Sequence, residues 1–429
     1  MPEPTETPTR RVLVVASTFP ASPTDPVPAF VRDQVIALDR LLPDTRFTVL
    51  APHDARSRTT STSVHESYDE HRFHYMFPRR WERLAGRGIM PEIRRSPLML
   101  LVVPFLFLGE YRAVRRLVRE ERPDLLYAHW FTPQAMVCAA VGRRAGIRTV
   151  FTTHASDIAV WGRFGGLGRR LVRTAVDRSA RFTAVSRRSL ERARRFFTDA
   201  QWAAVLEKSA VIPMGVDLPD PAGDEGVAAF RAEQGLDDRR VVLFVGRLAA
   251  KKGVPVLLEA MPRIVREFPD VALVVAGEGP DGDAIRAQAA ESGLGDAVRF
   301  AGYVSGATKD AWYRVAEMSV IPSIETADGD AEGLPVSLLE ALAYGNPTVA
   351  TEASVAGEVM TDGVEGRICT SGDAEALAEA LADVLGRADA DRAAMSTAAR
   401  STAERYGWPV IAERTSAFLF EGLPDPGRA

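Results

Sequence analysis

Four charged side chains in the second half of the sequence have the types and spacing to hold a phosphorylated sugar. In Val245-Gly246-Arg247-Leu-Ala-Ala-Lys251-Lys252-Gly253 an apolar run ends in a glycine, and two cations stand just ahead of a helical pattern. Gly246 admits a ligand close to the backbone. Arg247 and Lys252 put positive charge beside a helix N-terminus whose free amides and dipole also favour anions, which is a diphosphate site in outline. Lysine meets phosphate as a compact point charge, whereas arginine offers a planar fork. Arg/Lys pairs are usually solvated basic turns, but the chain has 49 arginines and only four lysines, Lys208, Lys251, Lys252 and Lys309, and two of the four standing adjacent here weaken that reading.

The second constellation is Glu332-Gly333-Leu334-Pro335-Val336, followed by Glu340. Pro335 suits the first turn of a helix and Gly333 lets a ligand come close, so the amides of Gly333–Val336 form another anion-accepting helix start. Glu332 and Glu340 are expected roughly 8 to 12 Å apart along the axis at about 1.5 Å per residue. On spacing alone such a pair is more often a glutamate that stabilises the helix dipole plus an exposed one, but carboxylates so placed can accept hydroxyl hydrogen bonds from the sugars at the two ends of a nucleotide sugar's diphosphate. His154 follows a strand-like run, where a lone histidine is more often a packed or solvent-facing residue than a functional one.

Two weaker matches point elsewhere. Gly277-Glu-Gly279-Pro-Asp-Gly282 reads G-x-G-x-x-G, but the next strand ends in Gly302-Tyr303 rather than in an acidic ribose ligand. The first βα turn, Ser17–Pro23, has no glycine, so nicotinamide and flavin binding are disfavoured. Asp328-Gly-Asp330 has the D-x-D form of metal-dependent transferases, but it sits in a loop of small and acidic residues and is given no metal role.

These residues need a scaffold of alternating strands and helices. Strand-like runs fall at Val12–Ser17, Phe47–Ala51, Asp124–Ala128, Arg148–Thr152, Phe182–Val185 and Val211–Pro213, with helical periods such as Val31–Leu42 and Thr132–Ala145 between them. After the Gly/Pro/Asp-rich piece LPDPAGDEG a second series begins, at Val241–Val245, Val271–Ala276, Val298–Ala301, Val320–Pro322 and Thr348–Ala350. Strands this apolar suit parallel sheets covered by helices on both faces. The expected architecture is α/β, with two doubly wound Rossmann-like domains facing across a cleft, residues 1–216 and 217–405. From Trp408 to Leu419 the residues Trp408, Ile411, Ala412, Thr415, Phe418 and Leu419 share one helical face. That helix, within 406–429, either caps its own domain or crosses back to the first.

Length and composition agree. At 429 residues the chain is long enough for two or three domains, and 46% apolar with 26% charged residues argues against disorder and a multi-span membrane protein. The net charge of −4 hides a division: residues 1–215 hold 34 of the 53 Lys and Arg against 21 of the 57 Asp and Glu, a net of +13 that leaves −17 for the rest. Cys138 and Cys369 fall in opposite halves and read as reduced thiols of a cytosolic protein. The polar start lacks the pattern of a secretory signal. The uncharged stretch Ser96–Gly109 is short of the ~20 residues a spanning helix needs, and Pro104 interrupts it.

The ordered set VGRLAAKKG, AGEGP, AEGLPVSLLEALAYGNPTVA and Gly357-Glu358 before TDGVEGRI resembles the donor half of the retaining family 4 glycosyltransferases with the GT-B fold. In the first half AHWFTP, TTHASD, TAVS and IPMGVD come in the family's order, so the resemblance covers nearly the whole chain. It implies that Arg247 and Lys252 hold the donor diphosphate, Glu332 the transferred sugar's hydroxyls and Glu340 the nucleotide ribose. Gly246, Gly333, Leu334, Pro335 and Val336 complete the donor side, Tyr303 and Val304 are candidates for the base pocket, and His154 matches the histidine near the reacting centre. Phe30 and Asp157 are acceptor-side candidates. The sequence departs from the family in two places: Pro26-Val27-Pro28-Ala29-Phe30 stands where a Gly-Gly pair is common, and Ala155 replaces the glycine of His-Gly-x-Asp.

The resemblance implies transfer of a sugar with retention from a nucleotide diphosphate donor as co-substrate, with no other cofactor and no metal, and with domain closure over the donor. The expected partners are that donor and a saccharide or lipid-linked acceptor. Residues 163–195 hold eleven arginines against Asp177 and Glu191, and residues 72–122 combine twelve more with Trp81 and the apolar run Pro97–Leu108. That composition suits the cytoplasmic face of an anionic membrane as well as it suits solvated helices. Nucleic acid is not an expected partner, because no aromatics interleave with the basic residues. The favoured function is cell-surface or exported polysaccharide or glycolipid synthesis. A soluble acceptor on the same fold, or a sugar-nucleotide epimerase or hydrolase, are the alternatives.

Overall fold

The structure is a computed structural model that describes residues 10–22, 25, 27–57, 61–85, 88–154, 157–220 and 226–423. Pro26, Ala155 and part of the expected linker lie outside the described residues. The chain divides into two compact units, one of Met1–Met214 with Trp408–Ala429 and one of Gly215–Gly407.

The first unit has an eight-stranded sheet built from β1 (Arg10–Ala16), β2 (Thr45–Pro52), β3 (Thr62–Val64), β4 (Asp69–Phe73), β5 (Leu125–His129), β6 (Arg148–Thr153), β7 (Arg181–Ala184) and β8 (Ser209–Val211). Its order is β3-β4-β2-β1-β5-β6-β7-β8, and all pairs but β3–β4 are parallel. The core strands form because their residues are apolar on both faces: Leu13, Val15, Leu50, Leu126, Phe151 and Phe182 are all within 1% of full burial. Each such side chain contributes about 1.5 to 3 kcal/mol relative to exposure. The rings of Phe151 and Phe182 stack at 4.9 Å on neighbouring strands.

β4 carries the sequence Asp-Glu-His-Arg-Phe, which shows no apolar period, and the sequence reading does not anticipate it. It is stabilised by a buried ion pair, Arg72 Nε to Glu70 Oε1, while Arg72 Nη2 donates to the carbonyls of Phe19 and Pro20 at 3.0 Å each. Buried charge is tolerated because every partner is supplied. The Pro97 region also differs from expectation. Pro104 lies in the first turn of the Val103–Glu121 helix, where proline is favoured, and does not break it. With the preceding 3-10 turns the helical span is Pro97–Glu121, 25 residues with a mean hydropathy of 1.6 in its most apolar window, long and apolar enough by composition to cross a membrane. Regular helix in the expected Thr132–Ala145 stretch begins only at Met136, because Thr132 is extended.

The second unit has a six-stranded, all-parallel sheet of β9 (Arg240–Val245), β10 (Val271–Ala276), β11 (Val298–Gly302), β12 (Met318–Ile321), β13 (Thr348–Thr351) and β14 (Gly366–Cys369), in the order β11-β10-β9-β12-β13-β14. Strand order reverses between β9 and β12 here, and between β1 and β5 in the first unit. Such switch points are where doubly wound sheets bind ligands, at the carboxyl ends of the strands.

The final helix, Trp408–Phe420, belongs to the first unit. Its apolar face is buried at the residues the period singles out. Arg10 and Arg181 lie over the rings of Phe420 and Phe418 at 4.7 and 4.0 Å, and Arg414 donates to the Val211 carbonyl. Both cysteines are free.

Candidate active site

In the second unit the cations and the first acid meet at the switch point. Lys251 and Lys252 form the single 3-10 turn that follows β9, and Gly253 then turns the chain into the Val254–Glu267 helix at φ 68°. A side chain at Gly253 would put a Cβ 1.8 Å from the Pro322 carbonyl oxygen after β12, so only glycine lets the two loops touch. The Ile324 amide donates to the Lys251 carbonyl at 2.8 Å and fixes the contact.

Glu332, in the loop after β12, is 8% exposed. Its Oε1 lies 3.2 Å from Lys252 Nζ and 3.7 Å from Lys251 Nζ, and Lys251 also reaches Asp330 Oδ1 at 3.6 Å. Burial pushes the Glu332 carboxyl up, but Lys252 and Lys251 outweigh it and hold it below the ordinary carboxylate range. Burial likewise pulls Lys251 down, and Glu332 and Asp330 overcome that and raise it. Glu332 and Lys251 are thus each held in the charged form by the other. Asp330 of the D-x-D segment is taken up by Lys251, and its amide donates to Thr326 Oγ1 at 3.1 Å.

Gly277-Glu-Gly279 is the floor of this loop. The Gly246 amide donates to the Ala276 carbonyl and the Leu248 amide to the Glu278 carbonyl, both at 3.0 Å. A Cβ at Gly277 would stand 1.8 Å from the Gly246 oxygen, and one at Gly279 would stand 2.1 Å from the Leu248 oxygen. The glycines serve backbone packing that positions Gly246 and Arg247.

Pro335 caps the Val336–Ala343 helix from outside it rather than sitting in its first turn. Glu340 lies inside that helix and is already engaged: Lys309 Nζ donates to its Oε1 at 2.5 Å and Tyr313 Oη to its Oε2 at 2.9 Å. Three of the four lysines of the chain thus contact one of the two glutamates. The fourth, Lys208, donates to the Val176 and Ser179 carbonyls at the end of the Gly165–Arg178 helix. Tyr303 is 42% exposed after β11, whereas Val304 is buried in the core with Leu243 and Val274.

In the first unit His154 follows β6 and His129 ends β5, adjacent strands in register. His129 Nδ1 is 3.0 Å from His154 Nε2. Trp130 and Phe30 close round His154, with ring centroids at 4.6 and 5.2 Å. Trp130 holds φ 72°, ψ 147°, a conformation that costs a non-glycine residue about 1 to 3 kcal/mol and is kept where function requires it. Burial pushes the His154 ring down to about 3 and that of His129 well below the ordinary value, so both are neutral. Asp157 does not present its carboxylate outward. Its Oδ2 accepts from the Phe131 amide at 2.7 Å, and its Oδ1 accepts from Thr153 Oγ1 and from the Ile158 amide, joining the loops after β5 and β6. His129, Trp130, Lys251 and Lys309 went unassigned in the sequence. The motif AHWFTP contained the first two, and the scarcity of lysine was the signal for the others.

Two doubly wound units, each with polar side chains gathered where its strand order reverses, are the architecture of the GT-B fold. The sequence matches Glycosyltransferase Family 4 over residues 66–219 and Glycosyl transferases group 1 over residues 227–402. A GDP-mannose-dependent alpha-(1-6)-phosphatidylinositol monomannoside mannosyltransferase of Mycolicibacterium smegmatis is 30% identical over 350 residues, 79% of this chain and 86% of that protein. A phosphatidyl-myo-inositol mannosyltransferase of the same organism is 31% identical over 307 residues, 70% of this chain and 72% of that one. Anabaena HepE in complex with UDP and glucose shares the fold with a TM-score of 0.70 at 19% identity, over 96% of this chain and 100% of that one. Sucrose-phosphate synthase from Thermosynechococcus elongatus does so with a TM-score of 0.70 at 18% identity, over 96% and 98%. The chain belongs to glycosyltransferase family 4, and it is a glycosyltransferase that uses a nucleotide sugar.

Proposed function

We propose that the protein transfers a mannosyl group from GDP-mannose, with retention at the anomeric carbon, to a hydroxyl of a phosphoinositide-type glycolipid. The observation that carries the donor side is the buried Lys252–Glu332–Lys251 cluster at the switch point of the second unit. The names of the mycobacterial relatives support the sugar and the acceptor class.

In this reading the bond from the anomeric carbon to the phosphate oxygen breaks and its electron pair goes to the diphosphate. The acceptor oxygen bonds to the same face of the sugar, and its proton passes to the departing phosphate oxygen. Arg247, Lys252 and the helix amides beyond Gly253 are fixed donors for the growing negative charge, the arrangement that contributes most where water is excluded. Glu332 holds the lysines in place and accepts from sugar hydroxyls. Glu340 takes the ribose, oriented by Lys309 and Tyr313. Neutral His154 serves the reacting centre as a hydrogen-bond donor. These cations do the work of a metal, so transfer needs no added divalent ion.

The acceptor reading is supported by exposed apolar side chains flanked by arginine. Leu98, Leu100, Leu101, Phe105 and Leu108 are 42% to 70% exposed on the Pro97–Glu121 span. Exposed Arg94 and Arg95 precede them and Arg112, Arg115, Arg116 and Arg119 follow. Phe164 and Leu167, 56% and 62% exposed, lie among Arg163, Arg169 and Arg170. Apolar side chains with flanking cations favour peripheral attachment to the anionic cytoplasmic leaflet.

The test is to follow nucleoside diphosphate release from GDP-mannose, UDP-glucose and other nucleotide sugars, with phosphoinositide glycolipid in vesicles or with soluble sugar acceptors. The anomeric configuration of the product is read by NMR. Faster release with GDP-mannose and the lipid, and an α-linked product, are expected. An inverted product or a preference for a soluble acceptor would overturn the corresponding part.

A further inference from the structure

The carboxyl ends of β2 and β4 carry a second group of chemically active side chains, in the first unit and on different strands from His154. The register pairs Pro52 with Phe73, so the next residue on each strand is a histidine, His53 beside His74. Their rings are 4.5 Å apart. Between them comes Glu82, which caps the 3-10 turn Arg79–Trp81 and has no exposed surface. His53 Nδ1 is 2.6 Å from Glu82 Oε2, and His74 Nδ1 is 2.9 Å from the same oxygen. The three ligand atoms lie within 4.8 Å of one another.

We propose that His53 Nδ1, His74 Nδ1 and Glu82 Oε2 form a binding site for one zinc ion, with the fourth position open to water. Two neutral imidazoles and one carboxylate are a recurrent zinc ligand set. Two features separate this group from an ordinary histidine–carboxylate contact. The Nδ1 atoms of both rings converge on one carboxylate oxygen, Glu82 Oε2, at 2.6 and 2.9 Å, where an ordinary histidine–carboxylate contact needs only one ring. The other carboxylate oxygen, Oε1, is fully occupied: it accepts from the amides of Tyr75 at 2.7 Å and Met76 at 3.0 Å and from Arg79 Nη1 at 3.2 Å. That leaves Oε2 alone turned toward both rings, the outer-shell orientation that metal carboxylates need.

The ligands are also held by backbone. The His53 amide donates to the Phe73 carbonyl at 2.9 Å and the Ala55 amide to the Glu82 carbonyl at 2.7 Å. Zinc bonds of about 2.0 to 2.2 Å require tetrahedral ligand atoms roughly 3.3 Å apart, so the two nitrogen–oxygen separations of 2.6 and 2.9 Å would open by about 0.7 and 0.4 Å. The ion would tie β2, β4 and the turn at Trp81 together, and transfer would not pass through it.

The experiment uses the full chain without a polyhistidine tag, stripped of metal and titrated with Zn²⁺ by calorimetry and with Co²⁺ by visible absorption. Expected are one Zn²⁺ per chain, the d–d bands of four-coordinate Co²⁺, and a rise in Tm with Zn²⁺. His74 also hydrogen-bonds the buried Glu82 carboxylate, so His74→Ala is compared with its own metal-free Tm: it should lose the Zn²⁺-induced rise, weaken Zn²⁺ at least about tenfold and abolish the Co²⁺ bands. His53→Gln should do the same. Absence of stoichiometric binding, or binding that both variants retain at wild-type strength, would overturn the proposal.

Discussion

His129 Nδ1 stands 3.0 Å from His154 Nε2, and the other nitrogen of His129, Nε2, is buried with no hydrogen-bond partner. Both rings are neutral, so each carries one proton and one lone pair. A buried N–H without an acceptor is costlier than a bare lone pair, which puts the His129 proton on Nδ1. His129 therefore donates to His154, and the proton of His154 is fixed on Nδ1. His129 is a positioning residue for the histidine proposed at the reacting centre.

The first prediction is that ¹⁵N NMR shows His154 in the Nδ1–H tautomer. His129→Phe removes the lock, and kcat should fall by roughly tenfold or more with donor KM little changed, the pattern of a lost transition-state contact. A wild-type kcat, or a loss confined to KM, would refute the assignment. Because burial pushes His154 down to about 3, its cationic form is negligible at neutral pH, and the rate profile should show no inflection near 6.5 from this ring.

Much of this arrangement was legible in the sequence, for a physical reason. Strands buried on both faces must be apolar, so β1, β5, β9 and β10 announced themselves. So did the loop at Gly246–Gly253, because glycine, cations and a helix start are local in sequence. What could not be read were the pairings made through space. Glu70 and Arg72 make a strand of a charged segment only because each is the other's partner. Lys309 meets Glu340 and Lys251 meets Glu332 across a folded sheet, and nothing local marks either pair. The His53 and His74 pairing likewise depends on register between strands that the apolar pattern did not reveal.

Lys252 and Lys251 should differ in their effects. Lys252→Ala removes the expected diphosphate cation and should lower kcat/KM by about 10² to 10³. Lys251 is shared between Glu332 and Asp330, so Lys251→Ala should cost less in rate and more in stability. Lys309→Ala leaves Glu340 with Tyr313 alone and should change mainly donor KM. Equal losses from all three in steady-state kinetics would contradict these separate roles.

The glycines of Gly277-Glu-Gly279 support the Arg247 loop, so Gly279→Ala should act at a distance. Its Cβ would meet the Leu248 carbonyl oxygen at 2.1 Å, where rigid backbone cannot give way. A loss of about 2 kcal/mol or more in urea unfolding is expected, with donor binding weakened in parallel. Unchanged stability with altered binding of a free nucleotide would instead mean that Gly279 faces the ligand.

Glu110 makes folding depend on pH. It is fully buried on the Val103–Glu121 helix, and burial pushes its carboxyl up to about 8 even though Gln134 Nε2 donates to it at 2.9 Å. The folded value lies above the unfolded one, so the folded chain keeps a proton that the unfolded chain releases. Stability from this group is full below about 4.5, falls as pH rises toward 8, and is level beyond that, a change on the order of a few kcal/mol. Glu110→Gln keeps the shape and removes the titration. The variant should match wild type near pH 5 and exceed it in Tm and urea midpoint near pH 8.5; a gap that is the same at both values would show that Glu110 does not titrate in this range.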